Sequence, residues 1–402
     1  MAGTPTGITG IRTTSNILSA NIVKNVAPAV LMLEDDRKSL MTFVSSLGSH
    51  PTDNARFDWF EDELVPWVGT LAASCASATA TSATTTINMS GQTSAIYLAV
   101  DDIIKFPSTG EIARVTALTA MSAVSAVRSI NATTADISNG ALWVKIGDAR
   151  AENSRLYDSS NNLLSVSTQE VNNYNYTQTF REALGSSRRE AHTNQYTGKD
   201  PVRQKAKKLI EHCAKINRSF WHGARLDEGS GRTHTGGLLS FIPSANQSTI
   251  ATLTEDDFEN FVRRLSRYGN SKRRVLFASR FTAALISGWG RANQRINNPG
   301  GVVKYGVSIQ EYQAGCGTVV EIVTDHALEG LPGSATNYTY DGYAALVDPE
   351  GMKKAVFGGT DTLYTEGLQL PDMDGSADAY ISDVGLLPGN VNYQGLIKGV
   401  TA

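Results

Sequence analysis

Six histidines, three cysteines and three acidic clusters are the groups through which this 402-residue chain could do chemistry. The histidines are His50, His192, His212, His222, His234 and His326, and none pairs with another at a metal-binding spacing. His212 and Cys213 are adjacent, so on a helix their side chains diverge by about 100°. Residues 229–237, GSGRTHTGG, have the glycine content of a phosphate cradle. A Walker loop needs Lys and then Ser or Thr directly after its last glycine, whereas Leu238 and Leu239 follow here. Neither GxGxxG nor GxSxG occurs, so the segment is expected to be a mobile surface loop. Glu255-Asp256-Asp257 fits a helix N-terminus, where carboxylates are favoured. Glu34-Asp35-Asp36 and Glu61-Asp62-Glu63 have no matching partner motif, and nothing selects a catalytic pair. Arg263, Arg264, Arg267, Lys272, Arg273 and Arg274 form a basic cluster without the interleaved aromatics that stack bases. A subunit contact or a solvated face suits it better than nucleic-acid recognition. The expectation is therefore no enzyme, no catalytic residue, no metal and no cofactor.

The elements that would position such groups are clearer than the groups themselves. Asp200 to Gly223 predicts one long helix, with Asp200 as N-cap, Pro201 in the first turn and Gly223 just past the end. Val202, Ala206, Leu209, Cys213, Ile216 and Phe220 recur at spacings of four and three, a narrow apolar stripe along a rod of roughly 33 Å. Arg203, Lys205, Lys207, Lys208, Lys215 and Arg218 occupy the other faces against a lone Glu211. This pattern predicts a strut laid across a sheet on its apolar stripe.

Hydrophobic residues make up 41% of the chain and charged residues 19%, which predicts a globular protein of two or three domains. No apolar run is long enough to span a membrane. The N-terminus lacks an apolar signal core, and the scattered, odd-numbered Cys75, Cys213 and Cys316 argue for reduced thiols in a cytosolic setting. The net charge of −3 hides a segregation. Residues 1–180 carry 11 basic and 16 acidic side chains, residues 181–295 carry 21 and 10, and residues 296–402 carry 4 and 13. Three readings stay open: differently solvated domains, complementary faces of neighbouring copies, or a basic middle that touches nucleic acid.

Along the chain, residues 1–36 look like an arm, and 37–47 predict a short helix ending at Gly48. Arg56 to Trp67 predicts a strand and then a turn near Pro66. Composition shifts near residue 70. Runs at 85–89, 102–106, 111–118 and 141–146, with turns at Pro107–Gly110 and Asn139-Gly140, predict a small β-rich insertion supported by its neighbours. Residues 170–198 are polar and Tyr-rich. Thr254 and Asp257 predict a capping box opening a helix that Gly269 ends. A buried strand at 274–279, a helix at 281–289 and further strands at 302–324, 343–357, 379–384 and 395–400 complete an α+β pattern.

An extended arm, a β-rich excursion, a long helix, a helix-flanked sheet and a β-rich return form a layout that resembles the major capsid proteins of tailed bacteriophages. Their shell fold is shared with herpesvirus capsid floors and encapsulins. The residues that carry the resemblance are FDWFEDELVP at 57–66, YNYTQTFREALGSSRRE at 174–190, RQKAKKLIEHCAKINRSFWHG at 203–223, GGLLSFI at 236–242 and LTEDDFENFVRRL at 253–265. The branch resembled carries a β-domain in its extended loop. The resemblance implies an N-terminal arm at 1–69 and an extended loop with inserted β-domain at 70–150. It implies a peripheral domain at 151–223, with its spine helix at 200–222, an axial domain at 224–349, and a return to the peripheral domain at 350–402. It implies a homo-oligomeric shell of pentamers and hexamers, icosahedral or prolate, around double-stranded DNA touched without sequence preference. Scaffold, portal and decoration proteins would be further partners, with scaffold supplied as a separate chain. Assembly would occur in the host cytoplasm and the product would be the virion, without any membrane. Glycines 229, 231, 236, 237, 300 and 301 would let one chain bend differently at different shell positions. The lysine and asparagine of a cross-linking pair find no match here. Alternatives are a cellular compartment shell, another phage structural protein such as a tail tube, or a nucleic-acid-binding module built on 181–295.

Overall fold

Residues 273–278 and 344–347 explain the layering at the centre of the molecule. Side chains alternate across a strand. Val275 and Phe277 therefore enter one core with Ala345 and Val347, while Leu276 and Ala278 enter another with Ala344 and Leu346. A sheet buried on both faces carries near-continuous apolar strands, which is why RVLFA and AALV lack polar alternation.

The computed structural model describes residues 39–77, 84–89, 97–120, 122–154, 166–193, 200–267, 269, 271–293, 311–329 and 342–401. The arm expected at 1–36, its acidic cluster, and Gly300 and Gly301 lie outside them. The helices among the described residues are α1 (Ser39–Leu47), α2 (Arg188–His192), α3 (Asp200–His222), α4 (Leu238–Phe241), α5 (Glu255–Leu265) and α6 (Arg280–Asn293). The chain divides into two compact units, one of residues 1–57 and 174–402, the other of 58–173.

The larger unit holds two sheets. The doubly buried one runs in the order Gln247–Thr249, Gly395–Lys398, Ala344–Val347, Arg273–Ala278, Val319–Thr324, Glu311–Gln313. Its parallel pair, Arg273–Ala278 with Val319–Thr324, is joined through α6, as parallel strands require a crossover. The second sheet orders Ser49–Thr52, Lys353–Phe357, Gly375–Leu387 and Gln178–Ser187, with Leu363–Thr365 also pairing onto Gly375–Leu387. Leu40 and Val44 of α1, Ile216, Phe220 and Trp221 of α3, and Val356, Val384 and Leu386 share one core with Val275 and Phe277.

The Tyr-rich segment is extended: Val171–Tyr176, then the ten-residue strand Gln178–Ser187, register-paired from Gln178↔Val384 to Ser187↔Gly375. The sequence hid it because Phe180 is its one buried hydrophobic residue.

The smaller unit is an antiparallel sheet in the order Val68–Thr70, Leu142–Asp148, Asp102–Lys105, Ile112–Ala120, Ala123–Val127, Thr84–Asn88. It corrects the expectation of a lobe that leans on neighbours. Leu71, Ile87, Met89, Ile104, Phe106, Val115, Val124, Ile137 and Trp143 give it a core of its own. Arg56–Glu61 pairs with Val171–Tyr176 in a two-stranded sheet.

Candidate assembly surface

The long helix α3 forms over the span the sequence predicts, Asp200–His222, but it lies on only the C-terminal half of the stripe its spacing suggests, where Ile216 and Phe220 are buried and Cys213 packs beside them. Val202 is 71% exposed, and Ala206 and Leu209 are exposed with it. The buried residues are His212, Ala214, Ile216, Asn217, Phe220 and Trp221. In the C-terminal half these enter the shared core. In the N-terminal half a polar face meets the sheet. Lys208 Nζ donates to Glu182 Oε1 at 3.0 Å and to Glu211 Oε2 at 2.7 Å, and Lys215 reaches Glu182 Oε2. Lys205 Nζ stands 3.5 Å from the centre of the Tyr364 ring and 3.3 Å from Glu366 Oε1. Burial pushes the Glu182 carboxyl up, but hydrogen bonds from Lys215 and Lys208 outweigh it and hold it below the ordinary carboxylate range. The sheet offers carboxylate and tyrosine here, so the helix turns its lysines inward and leaves Val202, Ala206 and Leu209 outside.

Further large apolar side chains stay exposed in two other stretches. Phe60 on the strand Arg56–Glu61, and Leu64 (94%) and Trp67 just after it, lie in the smaller unit. Leu363, Leu368, Leu370 and Met373 edge the second sheet of the larger unit. Concentrated exposed apolar surface marks contact with other molecules, whereas single exposed leucines are ordinary.

Three of the histidines have polar partners within the fold. His222 Nε2 lies 2.8 Å from Ala327 O, His234 pairs with Glu228 at 2.8 Å, and His326 pairs with Glu329 at 2.7 Å. Among the described residues no group of three or more His, Cys, Asp or Glu could hold a metal ion. Among the described residues no helix is long and apolar enough to cross a membrane. No disulfide joins the cysteines, of which Cys75 is buried, Cys213 half-buried and Cys316 exposed. Glu255-Asp256-Asp257 opens α5, and the Thr254–Asp257 capping box is present.

Two expectations are corrected. The basic cluster does not form one face. Arg274 is fully buried against Asp348 at 3.4 Å, Arg273 pairs with Glu311, Arg264 donates to Ser248 and Arg263 to Asn260. The strand Arg273–Ala278 separates them, since its alternation sends Arg274 inward. The loop at 229–237 is a hairpin, Leu226–Gly229 with Arg232–His234, followed by a tight crossing. Gly237 N donates to Gly223 O at 2.8 Å, and a Cβ on Gly237 would sit 2.5 Å from Trp221 O and 2.6 Å from Gly223 N. Gly236 and Gly237 serve close backbone approach, where the sequence suggested freedom to bend. Gly237→Ala should cost about 3 kcal/mol by overpacking, because backbone cannot yield as a side chain can. A urea midpoint unchanged from the parent would refute that crossing.

What remains is a two-sheet unit carrying a long, half-polar helix, a β-unit with its own core, and several stretches of exposed apolar side chains. The model of the SU10 major capsid protein family matches residues 7–401. The chain belongs to this family. It is a shell-forming structural subunit of a bacteriophage capsid, not an enzyme, and its place is the virion. No curated protein matches the sequence. Among solved structures, the capsid of the native GTA particle is similar at 10% identity, with 96% of this chain and 98% of that one covered and a TM-score of 0.51. The capsid of the empty GTA particle is similar at 9% identity, with 97% and 98% covered and a TM-score of 0.50. At such identities the likeness is one of fold, and it extends over nearly the full length of the capsid protein.

Proposed function

We propose that copies of this capsid protein close into pentamers and hexamers of an icosahedral or prolate head that encloses double-stranded DNA. Contacts between unlike surfaces of identical copies close into rings when the rotation permits. The observation that carries this reading is the apolar surface on 60–67, on the outer face of α3 and on 363–373, which a lone chain leaves in water. Each copy would meet several neighbours, so modest pairwise affinities would add by avidity. We assign 1–69 as arm, 70–150 as extended loop with its inserted domain, 151–223 and 350–402 as peripheral domain, and 224–349 as axial domain. Assembly takes place in the host cytoplasm, with scaffold, portal and decoration supplied by other chains and DNA touched through its backbone.

The strongly basic 181–295 and the acidic flanks make assembly sensitive to ionic strength. Negative-stain microscopy of the purified protein should show polyhedral particles or five- and six-membered rings. Light scattering should show slower assembly between about 0.05 and 0.5 M salt, over which the screening length falls several-fold. A concentration-independent monomer overturns the assembly reading. A rate indifferent to salt overturns its electrostatic part.

A further inference from the structure

His212 is fully buried in the polar half of the contact between α3 and its sheet. Its Nε2 lies 2.7 Å from Ser382 Oγ, and its Nδ1 has no partner. Ser382 Oγ accepts from Thr362 N at 3.1 Å and donates to Thr362 Oγ1 at 3.3 Å, which in turn donates to Asp361 Oδ1 at 3.3 Å. Asp361 Oδ2 receives Lys354 Nζ at 2.6 Å. The serine has one hydrogen, and the relay commits it to Thr362. The network therefore assigns the imidazole proton to Nε2 and leaves Nδ1 a bare lone pair. A second proton would make an N–H without an acceptor and a charge without solvent.

The ionisable surroundings do not welcome that charge. On its own helix His212 has Lys208, Glu211 and Lys215 within one turn. The strand Gln178–Ser187 brings Glu182, whose carboxylate is already held by Lys208 and Lys215. Gly375–Leu387 brings Tyr380, its ring centre 6.2 Å from the imidazole, and Asp383. Leu363–Thr365 brings Tyr364, the turn before it brings Asp361, and Lys353–Phe357 brings Lys354. Helix α1 carries no ionisable side chain.

We propose that His212 is an acid-sensitive pin: the N-terminal half of α3 stays on its sheet while this imidazole is neutral and lets go when it takes a proton. Burial, then Lys215, push the imidazole pKa down, with Glu182 opposing. The detached imidazole protonates near pH ~6.5, the packed one lower. As pH falls, the detached form therefore binds the proton first. Attachment is complete above about pH 6.5 and weakens up to tenfold per pH unit below it, until the packed imidazole titrates as well. The C-terminal half of α3 is held independently, since Asn217 and Trp221 donate to Asp325.

Hydrogen exchange of the full chain, corrected for intrinsic rates and read by mass spectrometry at pH ~7.5 and ~5.5, tests this. Protection over 204–215 should fall about tenfold while 216–222 keeps its protection, and His212→Gln should abolish the fall. A parent chain without the fall, or the same fall in His212→Gln, overturns the proposal. Exchange of the imidazole C2 hydrogen reads the His212 pKa in the parent chain itself, whether or not the variant folds. A midpoint below about 6.5 is expected, and one at or above it overturns the proposal.

Discussion

Asp325→Ala should remove about 4 kcal/mol from the stability of the larger unit, among the largest losses a single change can produce. Asp325 is fully buried and gathers donors from three elements. Its carboxylate accepts from Leu40 N at the start of α1 at 3.3 Å, from Asn217 Nδ2 at 3.2 Å, from Trp221 Nε1 at 2.8 Å, and from Ala327 N at 2.8 Å in its own turn. Asn217 Oδ1 meanwhile accepts from Met41 N at 2.9 Å, so α1 and α3 are joined through the same node. Truncation leaves several buried N–H groups unpaired, and each costs its own desolvation. Asp325→Asn should recover part of the loss at most, because its amide nitrogen turns a donor toward donors. Urea unfolding followed by tryptophan fluorescence measures both. A loss below about 1 kcal/mol for Asp325→Ala would mean that packing, not this node, joins the helices.

The second large effect belongs to the smaller unit. Arg128 and Glu111 are both fully buried and meet at 2.7 Å and 2.8 Å through a bidentate pair. Arg128 also donates to Ala76 O and to Ala135 O, and Ser129 N donates to Glu111 Oε1. The pair thus ties two connecting segments to the sheet. Hydrogen bonds to Glu111 outweigh burial and hold the guanidinium proton more tightly than usual. Arg128→Ala leaves a buried carboxylate without its cation, which should cost about 3–5 kcal/mol. Limited proteolysis should then cut between residues 72 and 140 while α3 and both sheets of the larger unit resist. The double change Arg128→Met with Glu111→Leu should cost less than Arg128→Ala alone, since an apolar pair carries no charge to strand. Equal or greater loss in the double variant would show that the pair is favourable in itself.

Elements with local signals were legible in the sequence. Helix α5 is an example, because Thr254, Asp257 and the spacing of Phe258, Phe261, Val262 and Leu265 are settled within one short stretch. So is α3 as an element, though not its seating. Spacing places Val202 and Leu209 on one face and Lys205 and Lys208 on another. Which face the sheet receives depends on Glu182, Tyr364 and Tyr380, which come from strands elsewhere in the chain. The strand Gln178–Ser187 was hidden for the same reason, since its extended form comes from ten paired residues of Gly375–Leu387. The basic run from Arg263 to Arg274 looked continuous until strand alternation buried Arg274 beside Asp348.

The candidate surface was legible as a kind and not as a place. Order of elements along the chain resembled a shell subunit, and the family bears this out. By itself the sequence determined the α+β class, the capped helices, the turns and the role, because each rests on neighbours a few residues apart or on order along the chain. Tertiary structure alone decided which face of α3 is wet, that the lobe has its own core, and where Asp325, His212 and Arg128 find their partners. Those outcomes depend on groups brought together across long stretches of chain, and such pairings leave no periodic trace in either partner.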